Sequence, residues 1–160
     1  MAFPSRFQSG PFMFRAAGLL LFSLLWLAPQ AMAATVCVSQ PLATLMEGPG
    51  PGFPAAWTVV GNTPLEVVLE EGEWLKVKDM DGEIRWIYRK MVSDKVSCAQ
   101  AKINYVPLWP QPDASKDKTA SAQVRTAFLV TAKQGDWVKL DYEGMTVWTK
   151  KNYLWGLSDK

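Results

Sequence analysis

The feature that most limits how this chain can fold is a segment that it contains twice. Glu71-Gly72-Glu73-Trp74-Leu75-Lys76-Val77 returns as Gln134-Gly135-Asp136-Trp137-Val138-Lys139-Leu140, 63 positions later. At the same offset Leu45 falls on Leu108, Pro49 on Pro112, Leu65 on Phe128 and Val67 on Val130. One deletion shifts the offset to 62, which aligns Gly82 with Gly144, Trp86 with Trp148 and Val92 with Leu154. A fold that satisfies both copies is two units of about 55 residues each. The first is expected over 41–93 and the second over 103–157, with a linker over 94–102.

Each unit reads as β structure. Thr63–Glu71 and Glu73–Lys78 are short and alternate apolar with polar residues, as half-buried strands do. Asp81-Gly82 and Glu143-Gly144 separate such runs where a hairpin needs a residue tolerant of positive φ. Gly48-Pro49-Gly50-Pro51-Gly52 can be neither helix nor central strand and is read as a loop. No run after Ala34 keeps a 3.6-residue apolar period. About five short strands in a unit this small suits a closed barrel, which leaves few exposed edges.

The N-terminus reads differently. Arg6 and Arg15 precede an apolar run, Ala16–Ala28, followed by Pro29 and the small-residue stretch Ala31-Met32-Ala33. That is the order of a secretory signal over residues 1–33. Thirteen apolar residues span about 20 Å as helix, short of a hydrocarbon core roughly 30 Å thick, so cleavage is favoured over anchoring. The basic excess of the chain, 17 Lys+Arg against 15 Asp+Glu, belongs to this signal, and residues 34–160 are neutral. A neutral chain gives no electrostatic case for nucleic acid or for stable membrane association after cleavage. The destination is periplasmic or secreted.

Export determines how the two cysteines are read. In an oxidising compartment Cys37 and Cys98 form a disulfide. Lipidation of Cys37 is disfavoured by Val36, where a small residue is needed. With no histidine in the chain, there is no Ser-His-Asp triad, Cys-His pair or His-ligated zinc site. Two cysteines hold neither an iron–sulfur cluster nor a cysteine-only zinc site. No cofactor or metal is expected. Glu66, Glu70, Glu71 and Glu73 form an acidic run without counterparts in the second unit, and are read as a solvated face rather than a catalytic pair.

The order Leu45-Met46-Glu47-Gly48-Pro49-Gly50, Pro54, Trp57, Pro64-Leu65-Glu66-Val67, Glu73-Trp74-Leu75-Lys76-Val77, Asp81-Gly82, Trp86 resembles the bacterial SH3-like (SH3b) domain. Leu108, Gly135-Asp136-Trp137-Val138-Lys139-Leu140, Gly144, Trp148 and Asn152-Tyr153-Leu154-Trp155-Gly156 resemble the partner domain of tandem SH3b envelope proteins. The resemblance covers residues 41 to 157. It departs where the family usually has Arg after the Leu of the first motif: Met46 and Trp109 stand there. The second unit also lacks the Gly-Pro-Gly loop, and the first has Met91 where the second keeps Tyr153.

The resulting fold class is all-β, two small SH3-like barrels in tandem behind a signal peptide. By alternation Trp74 and Trp137 share a face with Lys76 and Lys139, opposite Leu75/Val77 and Val138/Leu140. The resemblance makes that face a peptide groove, anchored by Trp74 and Trp137 with Tyr88 and Tyr142 at its rim; a structural role for both Trp residues stays open. Trp86 and Trp148 are expected in the core. The function that follows is a non-catalytic envelope module, taking peptidoglycan stem peptide or an extended segment of an envelope protein. The alternative is a scaffolding protein whose barrels pack on each other without a peptide ligand. Sequencing the exported protein from its N-terminus should give Ala34 first, and an intact Met1 on the exported form would refute the cleavage.

Overall fold

The computed structural model describes residues 34–157; the expected signal, residues 1–33, lies outside them. Fourteen strands and two one-turn 3-10 helices make up this part of the chain. The first half holds β1 (Thr35–Val38), β2 (Leu42–Met46), β3 (Ala55–Val60), β4 (Pro64–Glu71), β5 (Trp74–Lys78), β6 (Ile84–Tyr88) and β7 (Val92–Ser93). The second holds β8 (Ser97–Ala101), β9 (Val106–Leu108), β10 (Ala120–Ala122), β11 (Ala127–Gln134), β12 (Trp137–Tyr142), β13 (Met145–Lys150) and β14 (Leu154–Trp155). A 3-10 turn precedes the last strand of each half, Arg89–Met91 and Lys151–Tyr153.

The repeat in the sequence is a repeat in the pairing. The first half forms one sheet in the order β3-β2-β6-β5-β4-β1-β7. The second forms β10-β9 and β13-β12-β11-β8-β14, joined by a Trp109–Trp148 bridge into the same order. All pairs are antiparallel. Even the irregularities coincide: a register shift falls between Val67 and Leu69 in β4, and another between Val130 and Ala132 in β11, 63 residues on. A bulge adds one residue to a strand and sharpens its twist, so both long hairpins bend at the same place.

Each half has its own core. Val36, Val38, Ala43, Leu45, Leu65, Leu75, Val77 and Ile87 fill the first. Ala99, Ala101, Val106, Leu108, Phe128, Val138, Leu140, Val147 and Leu154 fill most of the second. These are the inward residues of alternating strands: β5 runs half-buried, buried, half-buried, buried, half-buried from Trp74 to Lys78. The turn at Asp81-Gly82 has Gly82 at φ +84°, and the turn at Glu143-Gly144 has both residues in the left-handed region. Glycine adopts that backbone at no steric cost, which fits the composition of both turns.

Two expectations are corrected here. Residues 97–101, placed within a linker over 94–102, form strand β8, paired with β11 and β14. Ser97-Cys98-Ala99-Gln100-Ala101 lacks the branched and aromatic residues that mark a strand, and its small side chains suit a place where burial rather than propensity decides. Trp86 and Trp148 are half-buried on the outer face, because Ile87 and the flanking pair Val147 and Thr149 take the inward positions.

Cys37 and Cys98, both 1% exposed, are joined by a disulfide. They do not occupy matching places. Val36 opposes Leu65 while Ala99 opposes Phe128, so Cys37 corresponds to Gln100 and Cys98 to Thr35. The bond therefore ties β1 to β8 with a two-residue stagger. Elsewhere between the halves Gly156 lies against Pro64, whose ring would be 2.3 Å from any added Cβ, and Arg125 Nη2 meets Asp81 Oδ2 at 2.5 Å. Replacing both cysteines by serine should lower stability by about 4 kcal/mol, the chain-entropy value for a loop of this size. Urea unfolding under oxidising conditions measures it, and an unchanged midpoint would show that the bond adds nothing.

Candidate functional site

A groove of about 560 Å³ opens on the first half. One wall is β2, from Leu42, Ala43, Thr44 and Met46. The other is Trp74, Tyr88 and Met91, with Pro51 and Glu73 at its ends. The sheet itself makes the groove. β2 runs beside β3 for its whole length but meets β6 at the single pair Met46–Trp86, and beyond it the two strands diverge. The apolar side chains that line the split were not all visible in the sequence. Met46 was noted as a departure from the family pattern; Leu42, Thr44 and Pro51 carried no signal.

Trp74 and Tyr88 are direct cross-strand partners and so project on one face, with ring centroids 5.5 Å apart and planes tilted by 49°. Lys76 and Trp86, paired one step along, continue this face, with the Lys76 ammonium 5.8 Å from the Trp86 ring. Tyr88 Oη donates to Glu73 Oε1 at 3.2 Å. Lys90 Nζ lies 5.6 Å from the Tyr88 ring and 3.8 Å from the same carboxylate oxygen. Tyr88 first, and then Glu73, push the Lys90 ammonium above the usual lysine range.

The matching face of the second half is built differently. Trp137 pairs with Lys150, where the first half has Tyr88, and the Lys150 ammonium stands 5.0 Å from the Trp137 ring. Trp109, in the place of Met46, packs edge-on against Trp137 with centroids 5.3 Å apart. Tyr142 lies five residues along β12 from Trp137, about 16 Å at strand rise, and packs on Phe128 at 5.6 Å. The structure thus joins Trp74 to Tyr88 and separates Tyr142 from Trp137. Alternation itself shows the separation, since Tyr142 is an odd number of residues from Trp137 on one strand and so shares the inward face of Val138 and Leu140.

Three of the four acids in the Glu66–Glu73 run have partners at the surface. Glu66 meets Lys78 at 2.6 Å, Glu70 binds Arg89, and Glu73 is shared by Tyr88 and Lys90. Among the described residues no group of three or more His, Cys, Asp or Glu is arranged to hold a metal ion, and no helix is long and apolar enough to cross a membrane.

Residues 39–94, most of the first half, match the bacterial SH3 domain family. No curated protein matches the chain. Among solved structures, NlpC2 from Trichomonas vaginalis aligns at 9% identity and a TM-score of 0.35, over 78% of this chain and 48% of that one. An NlpC/P60 family protein from Bacillus cereus aligns at 12% identity and 0.35, over 76% and 55%. Endolysin LysPBC5 CBD aligns at 16% identity and 0.31, over 76% of this chain and 92% of its own. The chain spans about half the length of the first two. In Tyr88→Phe the Lys90 titration should fall toward the ordinary lysine value, as followed by NMR of the ε-methylene signals; an unmoved midpoint would remove Tyr88 from the charge network.

Proposed function

We propose that the protein is an exported, non-catalytic binding module of two tandem SH3-like barrels, which holds the peptide part of peptidoglycan in the groove of its first barrel. The observation that carries this reading is the Trp74–Tyr88 pair, standing open beside β2 in the segment that matches the bacterial SH3 domain. Two aromatic rings with polar edges offer a wide apolar contact with little side-chain entropy to lose, which suits a short extended ligand. An envelope-protein segment is the competing occupant. The repeated strand order and coincident bulges support a second barrel of the same kind. The signal read over residues 1–33 and the disulfide support a location outside the cytoplasm, in the periplasm or beyond.

The scaffolding alternative is favoured for the second barrel by one observation: Trp109 already covers Trp137. A scaffolding lobe and a binding lobe are compatible in one chain. Co-sedimentation of the oxidised protein with isolated sacculi tests the reading. The wild type should pellet, Trp74→Ala should lose most of that pelleting, and Trp137→Ala should keep it. No pelleting by the folded wild type would shift the ligand to a protein segment, for which cross-linking in the native envelope is the measurement.

A further inference from the structure

The two halves treat the same strand edge in opposite ways. In antiparallel pairing, successive residues turn their N–H and C=O to alternate sides. The Gly61 N–H donates to the Pro41 carbonyl, so odd-numbered residues of this segment bond toward β3 and even-numbered ones toward β6. Met46 uses that side to pair with Trp86. Thr44, exposed and two residues earlier, turns its N–H and C=O toward the same side, where β6 has already diverged. Its backbone faces the groove beside Trp74 and Tyr88.

In the second half the equivalent of Thr44 is Pro107, which has no N–H. Its carbonyl accepts a bond of 2.8 Å from Thr149 Oγ1, a side chain with no solvent exposure. The first half has Ile87 in the place of Thr149, and isoleucine cannot donate. Above this sealed edge Trp109 and Trp148 exchange two backbone bonds of 2.8 and 2.7 Å, and the Trp109 ring lies on Trp137. Three substitutions, at positions 107, 109 and 149, thus close an edge that the first half leaves open.

We propose that the chain takes one peptide, in the first half alone, added as a strand on the Thr44 edge, and that Pro107, Trp109 and Thr149 close the matching site of the second half. This rests on the stem-peptide reading above. The occupant's backbone answers the Thr44 donor and acceptor, its side chains lie on Trp74, Tyr88 and Met91, and the ammonium of its diamino acid faces Glu73. Charge agrees with that orientation: residues 41–93 hold eight acidic and five basic side chains. β-Strand addition of this kind draws affinity from main-chain bonds and selectivity from the flanking pockets.

The test is NMR titration of the isotope-labelled, oxidised protein with soluble muropeptides released from sacculi by a muramidase. The Thr44 amide should shift and gain protection from exchange together with the Trp74 indole N–H, at one ligand per chain, while the Trp137 indole and the Trp109 amide stay unmoved. Thr44→Pro copies Pro107 on an edge the β2–β3 ladder does not use, where proline is tolerated. It should weaken binding about tenfold, the scale of one lost hydrogen bond, and Thr44→Val, which keeps the N–H, should not. Acetylating the muropeptide amines should weaken binding as well, and equal binding would overturn the orientation toward Glu73. Movement of the Trp137 indole with the same midpoint, or of Trp74 without Thr44, overturns the one-site strand-addition proposal and leaves stem-peptide binding standing. Protection of Thr44 that rises with protein concentration alone would assign the edge to a second copy of the chain. No shift at any residue removes both readings.

Discussion

The structure depends on the seam where β1 meets β8, held by the Cys37–Cys98 bond. Units of about 55 residues bury a smaller fraction of their surface than larger domains do and are marginal alone. Each core here holds one ring or a few aliphatic side chains at its centre, Phe128 in the second half and Leu65 with Ile87 in the first. The contacts between the halves add what neither core supplies: a covalent tie, the fit of Gly156 on Pro64, and the Arg125–Asp81 pair. β8 serves both sides of the seam: Ala99 and Ala101 turn into the second core, and Cys98 holds the bond to β1.

The two halves share one framework, alike where it concerns folding and different where it concerns the surface. Leu65 and Phe128, the paired bulges, and the two 3-10 turns hold the same stations. The outer face does not. Lys150 stands where the first half has Tyr88, Trp109 where it has Met46, and Thr149 where it has Ile87. Two of these differences act together, since Thr149 donates to the Pro107 carbonyl and Trp109 covers Trp137. The first half keeps its apolar groove and accepts the exposure of Leu42 at 62%.

Much of the fold was legible because its signals are periodic. The alternation of Trp74-Leu75-Lys76-Val77 fixes which side faces inward, and Asp81-Gly82 fixes where the chain reverses. β8 was not legible, since Ser-Cys-Ala-Gln-Ala carries no strand propensity and gains its place from the disulfide and from β11. Trp86 was misplaced for a related reason: size suggested the core, whereas the parity set by Ile87 put it outside. The groove was half legible. Trp74 and Tyr88 stand on strands joined by one hairpin, so local alternation finds them both. Met46 and Thr44 come from a strand nearly thirty residues earlier, and the divergence of β2 from β6 that makes them walls is a tertiary event with no local trace.

The disulfide has a further consequence for the order in which the molecule can be completed. Its two sulfurs enclose residues 37 to 98, nearly the whole of the first half, in a covalent ring, and the second half follows as a tail. Cys98, however, sits on the opening strand of the second half. A chain emerging N-terminus first must therefore present all of the first half with Cys37 still a thiol, and the ring can shut only when β8 has followed it out. Once shut, a single backbone cut anywhere inside the ring leaves no fragment to diffuse away.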